Sequence, residues 1–332
     1  MRKVRIAQIG LSQNSHGSSI IKSLRKLSDI FEVVGYALPE KEWEMFPQMM
    51  KYFDGLREMT VEEILADATI EAVAVETDEI YLTKYAQLAA AAGKHIHMEK
   101  PGSQDAAAFE AMIETVRKSG KVFHTGYMYR YNPFVQQLLS QIERGELGQI
   151  LSVEAQMNCY HKKELRQWLG NFKGGMMFYL GCHLIDLIFR IQGQPLKVTP
   201  YNRCSGLDGV TAEDQGMAVL EYENGISFAI ANANQLGGFV RRELVVTGSK
   251  KTVSLCPLEA YGSDNGMFTT WREYTEKSWS DPGTVRESDP QDRYDSMMAS
   301  FAAMVRGEKE NPYTPDYELA LYKLILQCCG AA

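Results

Sequence analysis

The sequence has no apolar run approaching the roughly 20 residues that cross a bilayer. It has no excess of basic charge either. Its 35 Lys and Arg stand against 42 Asp and Glu, a net charge of -7. That balance argues against a nucleic-acid or anionic-membrane partner. Cysteines are few, six in all: Cys159, Cys182, Cys204, Cys256, Cys328 and Cys329. None forms a CxxC or a Cys/His ligand spacing, so no metal site is expected and free thiols in a reducing cytoplasm are the simplest account. No apolar leader precedes the first strand, which also points to the cytoplasm. Internal repeats and low-complexity tracts are absent. What remains is an ordinary globular composition, 45% hydrophobic and 23% charged, over 332 residues, about two domains' worth of chain.

The first part alternates strands and helices. Strands are expected at 4–10, 31–37, 70–77, 95–98 and 122–127. Helices are expected at 18–26, 61–67, 82–92 and 106–120. This alternation predicts an α/β domain with a parallel, doubly wound sheet over roughly the first 125 residues. A strand ending in Gly10, a loop and then a helix is how a dinucleotide-binding unit begins. Yet the loop Leu11-Ser12-Gln13-Asn14-Ser15-His16-Gly17 lacks the G-x-G-x-x-G pattern. Ser15, Gly17, Ser18 and Ser19 still offer hydroxyls and backbone N–H groups to a phosphate at the helix N-terminus. The acid that usually meets the ribose after the second strand is missing from Tyr36-Ala37-Leu38, and Lys41 is the base nearby. NAD and NADP are therefore not distinguished. Asp78 and Glu79, after the third strand, would disfavour a nearby phosphate.

The style changes after Ile150. A strand at 150–157 is followed by hairpins at 217–222/226–231 and 243–247/252–255, with Asn224-Gly225 as a turn signal. Hairpins imply an antiparallel sheet, hence an α+β domain. Helices are expected at 134–145, 296–307 and 316–329. The polar stretch Asp281 to Asp292 is expected to be a mobile loop.

Two stretches carry chemistry. Glu99-Lys100-Pro101 sits at the carboxyl end of a strand, where open α/β sheets bind ligands. A lysine held there, partly out of water, can exchange a proton with a substrate hydroxyl. The plainer alternative is a surface lysine beside a glutamate. In the other stretch, 174–186, helical spacing puts Tyr179, His183 and Asp186 on one face. His183 then reads either as a general acid/base or as a core histidine satisfied by a hydrogen bond.

These stretches, with Gly93-Lys94-His95, Arg130-Tyr131-Asn132-Pro133, Gly145-Glu146-Leu147-Gly148, Gly174-Gly175, Gly181 and Glu213-Asp214, resemble the Gfo/Idh/MocA family of nicotinamide-dependent oxidoreductases. The resemblance covers almost the whole chain. It implies a Rossmann domain over 1–125 that binds NAD or NADP. It also implies a substrate-binding and oligomerisation domain over 126–332, with a large open, mostly antiparallel sheet whose outer face makes a homodimer or homotetramer. Hydride would pass between the nicotinamide and a secondary hydroxyl or carbonyl of a sugar, cyclitol or related polyol. Lys100 would bind the hydroxyl and move its proton, His183 would act as general acid/base or relay, and the peptide before Pro101 would be cis.

Cofactor contacts are expected from Gly10, Ser12, Gln13, His16, Gly17, Tyr36, Thr77, Glu99 and Lys100. Substrate contacts are expected from Lys100, Tyr127, Arg130, His161, Tyr179 and His183. Tyr127 and Arg130 alternatively pack the domain junction, and His161 alternatively lies in a solvated loop. Tyr179 stands where the family has an aspartate. It can hydrogen-bond His183 or donate a proton itself, but it supplies no carboxylate. Two other readings fit the same motifs: a glycosidase or lyase of this fold using NAD without net redox, and a non-catalytic nucleotide-binding regulator. The presence of both Lys100 and His183 favours an enzyme.

Overall fold

The computed structural model describes residues 2–262 and 266–331. The chain forms two compact units, Met1–Met128 with Tyr294–Ala320, and Tyr129–Arg293 with Leu321–Ala332.

The first unit runs β1 (Val4–Ile9), α1 (Gly17–Lys26), β2 (Phe31–Ala37), α2 (Glu42–Met45), α3 (Val61–Ala66), β3 (Ala72–Val75), α4 (Leu82–Ala91), β4 (His95–Met98), α5 (Ala106–Ser119) and β5 (Phe123–Thr125). Its five strands are all parallel, in the order β2-β1-β3-β4-β5. Both faces are covered, so β3 at the centre is apolar throughout rather than alternating; Ala72, Val73, Ala74 and Val75 are all fully buried. The helices pack by their apolar stripes, Ile20, Ile21 and Leu24 from α1, and Phe109, Met112, Ile113 and Val116 from α5. Local chemistry fixes the helix ends. Asp105 accepts from the N–H of Ala108 at the start of α5, and Gly120 closes that helix in the left-handed region. Thr60 and Glu63 form a reciprocal capping box at α3.

The second unit contains α6 (Pro133–Glu143), β6 (Ile150–Asn158), α7 (Lys163–Trp168), a π-helical segment (Met177–Gly181), α8 (Cys182–Gln192), β7 (Lys197–Arg203), β8 (Gln215–Tyr222), β9 (Gly225–Asn232), β10 (Arg242–Gly248), β11 (Thr252–Leu255), β12 (Ala260–Tyr261), β13 (Met267–Phe268), β14 (Thr270–Tyr274) and β15 (Thr284–Glu287). Eight of these strands form one sheet, ordered β15-β14-β11-β10-β6-β9-β8-β7. Every pairing in it is antiparallel except β6 with β9. The expected fold class is therefore found, a parallel Rossmann sheet followed by a large, mostly antiparallel one. Alternation along β8 and β9 buries Ala218, Leu220, Ala229 and Ala231 on one face. It leaves Met217, Val219, Phe228 and Ile230 half-buried on the other. The last helices are α9 (Asp295–Val305), in the first unit, and α10 (Pro315–Cys329), within which the unit division falls. Among the described residues no helix is long and apolar enough to cross a membrane.

Three expectations change. The stretch 281–292 is not wholly loop: Thr284–Glu287 pairs with β14 as an exposed edge strand, its polar composition reflecting exposure rather than lack of structure. The turn of the β8–β9 hairpin is Glu223-Asn224, with Gly225 already in β9. Finally, Tyr179 and His183 do not lie on one continuous α-helix. Met177–Gly181 is π-helical, and its wider turn moves residues four apart off a common α-helical face.

Replacing Thr60 with Ala removes the α3 capping box, an effect of about 1 kcal/mol. Amide exchange across 61–66 should then accelerate roughly fivefold, with β3 unaffected; unchanged exchange would show that the box does not hold the helix end.

Candidate active site

In the first unit, the site is assembled from the loops after β1, β3 and β4. Gly10 has φ +95, and a Cβ there would lie 2.4 Å from the backbone N of Thr77. Only glycine lets the β1 loop pass so close to the β3 loop. The loop is then tied down. Ser12 donates its N–H to the Glu76 carbonyl, and the Ser15 hydroxyl lies within bonding distance of the carbonyls of Ser12 and Glu76. Gln8, a polar residue inside an apolar strand, reaches the carbonyls of Gly10 and Gly17 through Nε2. It was not among the expected residues, although its place in that strand is a legible signal.

α1 opens at Gly17 without a side-chain cap and with no acid in its first turn. The Gly17 N–H is taken by the Ser15 hydroxyl oxygen, so α1 offers a phosphate its dipole and the adjoining Ser18, which fit the anionic part of a dinucleotide. Gln13 is exposed in the turn. Tyr36 is buried and stacked on Phe53, with centroids 4.0 Å apart, and Thr77 is buried with its hydroxyl on the Asp78 carbonyl. Beside the carboxyl end of β2 lies a cavity of about 400 Å³, lined by residues that include Ala37, Leu38, Pro39, Trp43, Tyr85 and Leu88.

Glu99 sits at the centre of the charged groups. Its carboxylate lies 3.1 Å from His16 Nδ1 through either oxygen, and 3.3 Å from Lys100 Nζ. Glu99 and Lys100 side chains are each 1% exposed, whereas His16 is 22% exposed. Burial alone would raise the Glu99 carboxyl; the positive fields of His16 and Lys100 outweigh it and hold the group down to about 2. The Lys100–Pro101 peptide is cis, as the resemblance implied.

Three more carboxyls are buried close by. Glu79 is pushed up to about 8 by burial, with Lys100 opposing and Asp78 and Glu99 adding to the rise. Glu42 is likewise pushed up to about 8, by burial offset in part by the backbone N–H groups of Leu11 and Asp78. Glu76 is raised by burial and by the Glu99 charge, and lies 3.5 Å from His97 Nε2. His97, given no role from sequence, meets His124 at 2.7 Å between their Nδ1 atoms, and burial lowers its pKa to about 4.

In the second unit, His183 is buried at the start of α8, with Tyr129 edge-on to its ring at 5.3 Å. The Tyr129 hydroxyl bonds Glu259, which also pairs with Arg242 and Arg293. Tyr179 packs edge-on against Trp168 at 5.5 Å and against His161 at 6.1 Å. His161 is held by its backbone N–H on the Ala233 carbonyl, and burial, reinforced by the Arg242 charge, lowers its pKa to about 4. It is thus a fixed, neutral imidazole rather than part of a solvated loop. Arg130 is 2% exposed, and its guanidinium grips Asp186 through Nε and Nη2 at 2.7 to 3.1 Å. That ion pair holds Arg130 in the core of the unit, in keeping with the packing role that was the alternative to substrate contact. Tyr127, in the first unit, is also 2% exposed.

Comparison with known proteins agrees with this architecture. Residues 4–127 match the model of the oxidoreductase family with an NAD-binding Rossmann fold, and residues 135–254 match the GFO/IDH/MocA C-terminal domain. The chain belongs to the Gfo/Idh/MocA family. It is an oxidoreductase whose first unit binds NAD or NADP. An uncharacterised oxidoreductase of Rhizobium meliloti is 24% identical over 272 residues, 80% of this chain and 78% of that one. D-glucoside 3-dehydrogenase of Escherichia coli is 26% identical over 55% of this chain and 58% of its own length. The aldose-aldose oxidoreductase of Caulobacter crescentus shares the fold, with a TM-score of 0.79 and 19% identity over 100% of this chain and 98% of that one.

The buried carboxyls of this oxidoreductase make its stability fall with rising pH. Glu79 has a folded pKa of about 8, above the ordinary 4.5, so its contribution is complete below 4.5 and is lost as pH rises to about 8. Glu79→Gln should flatten the fall in melting temperature between pH 4.5 and 8; an unaltered profile would mean that Glu79 is charged throughout.

Proposed function

We propose that this oxidoreductase moves a hydride between its nicotinamide cofactor and a secondary hydroxyl or carbonyl of a sugar, cyclitol or related polyol. The observation that carries the proposal is the buried chain His16–Glu99–Lys100 at the carboxyl end of β4. The relation to a D-glucoside 3-dehydrogenase supports the substrate class. In this reading residues 1–125 hold the cofactor and 126–332 hold the substrate.

The bound cofactor supplies the hydride acceptor or donor at nicotinamide C4. The N-terminus of α1 and the loop from Gly10 to Gly17 hold its phosphates. Lys100, as the ammonium, gives its proton to the oxygen formed during reduction; in oxidation it takes the hydroxyl proton only as the neutral amine, after its own proton has left. Glu99, 3.3 Å away, offsets the loss of water around the lysine and fixes its position. In the second unit, His183 and Tyr179 offer an imidazole and a phenol, groups suited to hydrogen-bonding hydroxyls. His161, neutral and fixed, accepts or donates one hydrogen bond beside Tyr179. A reducing cytoplasm accords with Cys204 and Cys256, which are free and exposed.

The half-buried face of the second sheet suits a further copy of the chain, giving a homodimer or homotetramer. Met217, Val219, Phe228 and Ile230 form adjoining cross-strand pairs on it.

Two measurements test these proposals. Lys100→Met should lower turnover on a responsive polyol by about 10²–10⁴-fold while nicotinamide fluorescence still reports cofactor binding; undiminished turnover would remove Lys100 from the chemistry. Phe228→Asp should reduce the mass seen by light scattering to that of a single chain. A wild type that is already monomeric defeats the oligomer proposal.

A further inference from the structure

The Lys100 side chain is 1% exposed, and so is that of Glu99 beside it. An ammonium so deeply buried does not trade protons with water directly. Yet each oxidation needs its own proton gone first, and each reduction needs a proton put back. Another group must carry that traffic. Protons move between side chains along hydrogen bonds, so the candidates are the ionisable groups gathered around Glu99.

Most of these lead to no surface. Glu76, Glu79 and His97 are all 0% exposed. Asp78 is turned to the next helical turn, where it accepts the N–H of Ile80. His16 differs. Its side chain is 22% exposed, and its Nδ1 lies 3.1 Å from each oxygen of Glu99. Glu99 Oε1 also lies 3.3 Å from Lys100 Nζ, so one oxygen stands beside both nitrogens. The imidazole is held in place from two sides. The His16 carbonyl accepts the N–H groups of Ser19 and Ile20 in the first turn of α1, and Tyr294 packs on the ring with centroids 5.3 Å apart. His16 makes no side-chain cap bond to α1, so the helix start does not occupy its ring.

We infer that His16 is the port through which Lys100 exchanges protons with water, by way of Glu99. The inference deepens the proposed function and rests on the proton chemistry assigned there to Lys100. Before oxidation, an N–H bond of the Lys100 ammonium breaks and an O–H bond forms at Glu99 Oε1. That O–H bond then breaks as an N–H bond forms at His16 Nδ1, and the imidazolium gives its Nε2 proton to water. Lys100 is left as the amine. Neutral imidazole passes between its two N–H forms by exchange with water, which frees Nδ1 for the next proton. During reduction the same bonds break and form in reverse. Glu99, held down to about 2, passes the proton on without storing it. His16 touches no reacting atom in this scheme; it acts through Glu99.

The test is turnover of a responsive polyol by the full chain, in a buffer too bulky to enter the site, with and without added imidazole. His16→Ala should lower turnover roughly tenfold or more, and imidazole should restore it in proportion to its concentration. His16→Gln still donates a hydrogen bond to Glu99 but takes up no proton, so it should lose turnover too. It decides the matter if the alanine variant melts early. Glu99→Gln should lose turnover that imidazole does not restore, because the break then lies between port and lysine. Nicotinamide fluorescence should report unchanged cofactor affinity in both His16 variants. Full turnover by His16→Gln, or a folded His16→Ala that imidazole does not restore, overturns the inference. So does a loss of cofactor affinity that matches the loss of turnover, which would make His16 a cofactor contact alone. In those cases the hydride chemistry itself survives. No turnover of any polyol by wild type with NAD or NADP would instead defeat the reading beneath the inference, and the inference with it.

Discussion

One buried carboxylate, Glu99, holds the first unit's chemistry together. It lies at the end of β4, where the chain leaves a fully buried strand, and it binds both His16 of the β1 loop and Lys100 beside it. A carboxylate 1% exposed is tolerable only because two groups of opposite character face it. Remove either, and the other is left against an uncompensated buried charge. The loop geometry and the proton chemistry are therefore one constraint: Lys100 is placed by the same contact that keeps it soluble inside the fold.

The neighbouring acids obey the opposite rule. Glu42, Glu76 and Glu79 gather around the same three loops, yet burial raises all three pKa values. Glu42 and Glu79, pushed up to about 8, are mostly protonated at neutral pH, so they add little charge to that of Glu99. For Glu79 this lessens the conflict between the acidic residues after β3 and an anionic cofactor. Asp78 and Glu79 look repulsive when written as charges; in the fold, Glu79 is largely neutral at pH 7.

Much of this was legible in the sequence, and the gaps have physical causes. The short, mostly apolar runs separated by helical patterns placed all five parallel strands, although buried polar residues such as Gln8, His97 and His124 interrupt them. Glu99-Lys100-Pro101 was visible because a charged pair directly after a buried strand has few explanations. Glu42 was not visible, since no spacing rule links a residue on α2 to the N–H of Leu11; only the folded loop brings them together. The grouping of Tyr179, His183 and Asp186 assumed 3.6 residues per turn throughout, and the π-helical turn at Met177–Gly181 invalidates that arithmetic. Arg130 looked like an entrance residue because sequence cannot show that Asp186 lies opposite its guanidinium.

The position of β6 in the second sheet has a consequence for how the protein is made. It is a central strand, hydrogen-bonded to β9 on one side and β10 on the other. Both partners lie downstream, the nearer beginning about 70 residues after β6 ends. At ribosomal speeds of about 5–20 residues per second, the β9 edge of β6 waits about 3–13 s and the β10 edge about 4–17 s for its mate. During that interval Val153, Ala155 and Met157, fully buried once the sheet closes, depend on chaperones or transient collapse for shelter. The strand that organises the finished sheet is also its most exposed part during synthesis.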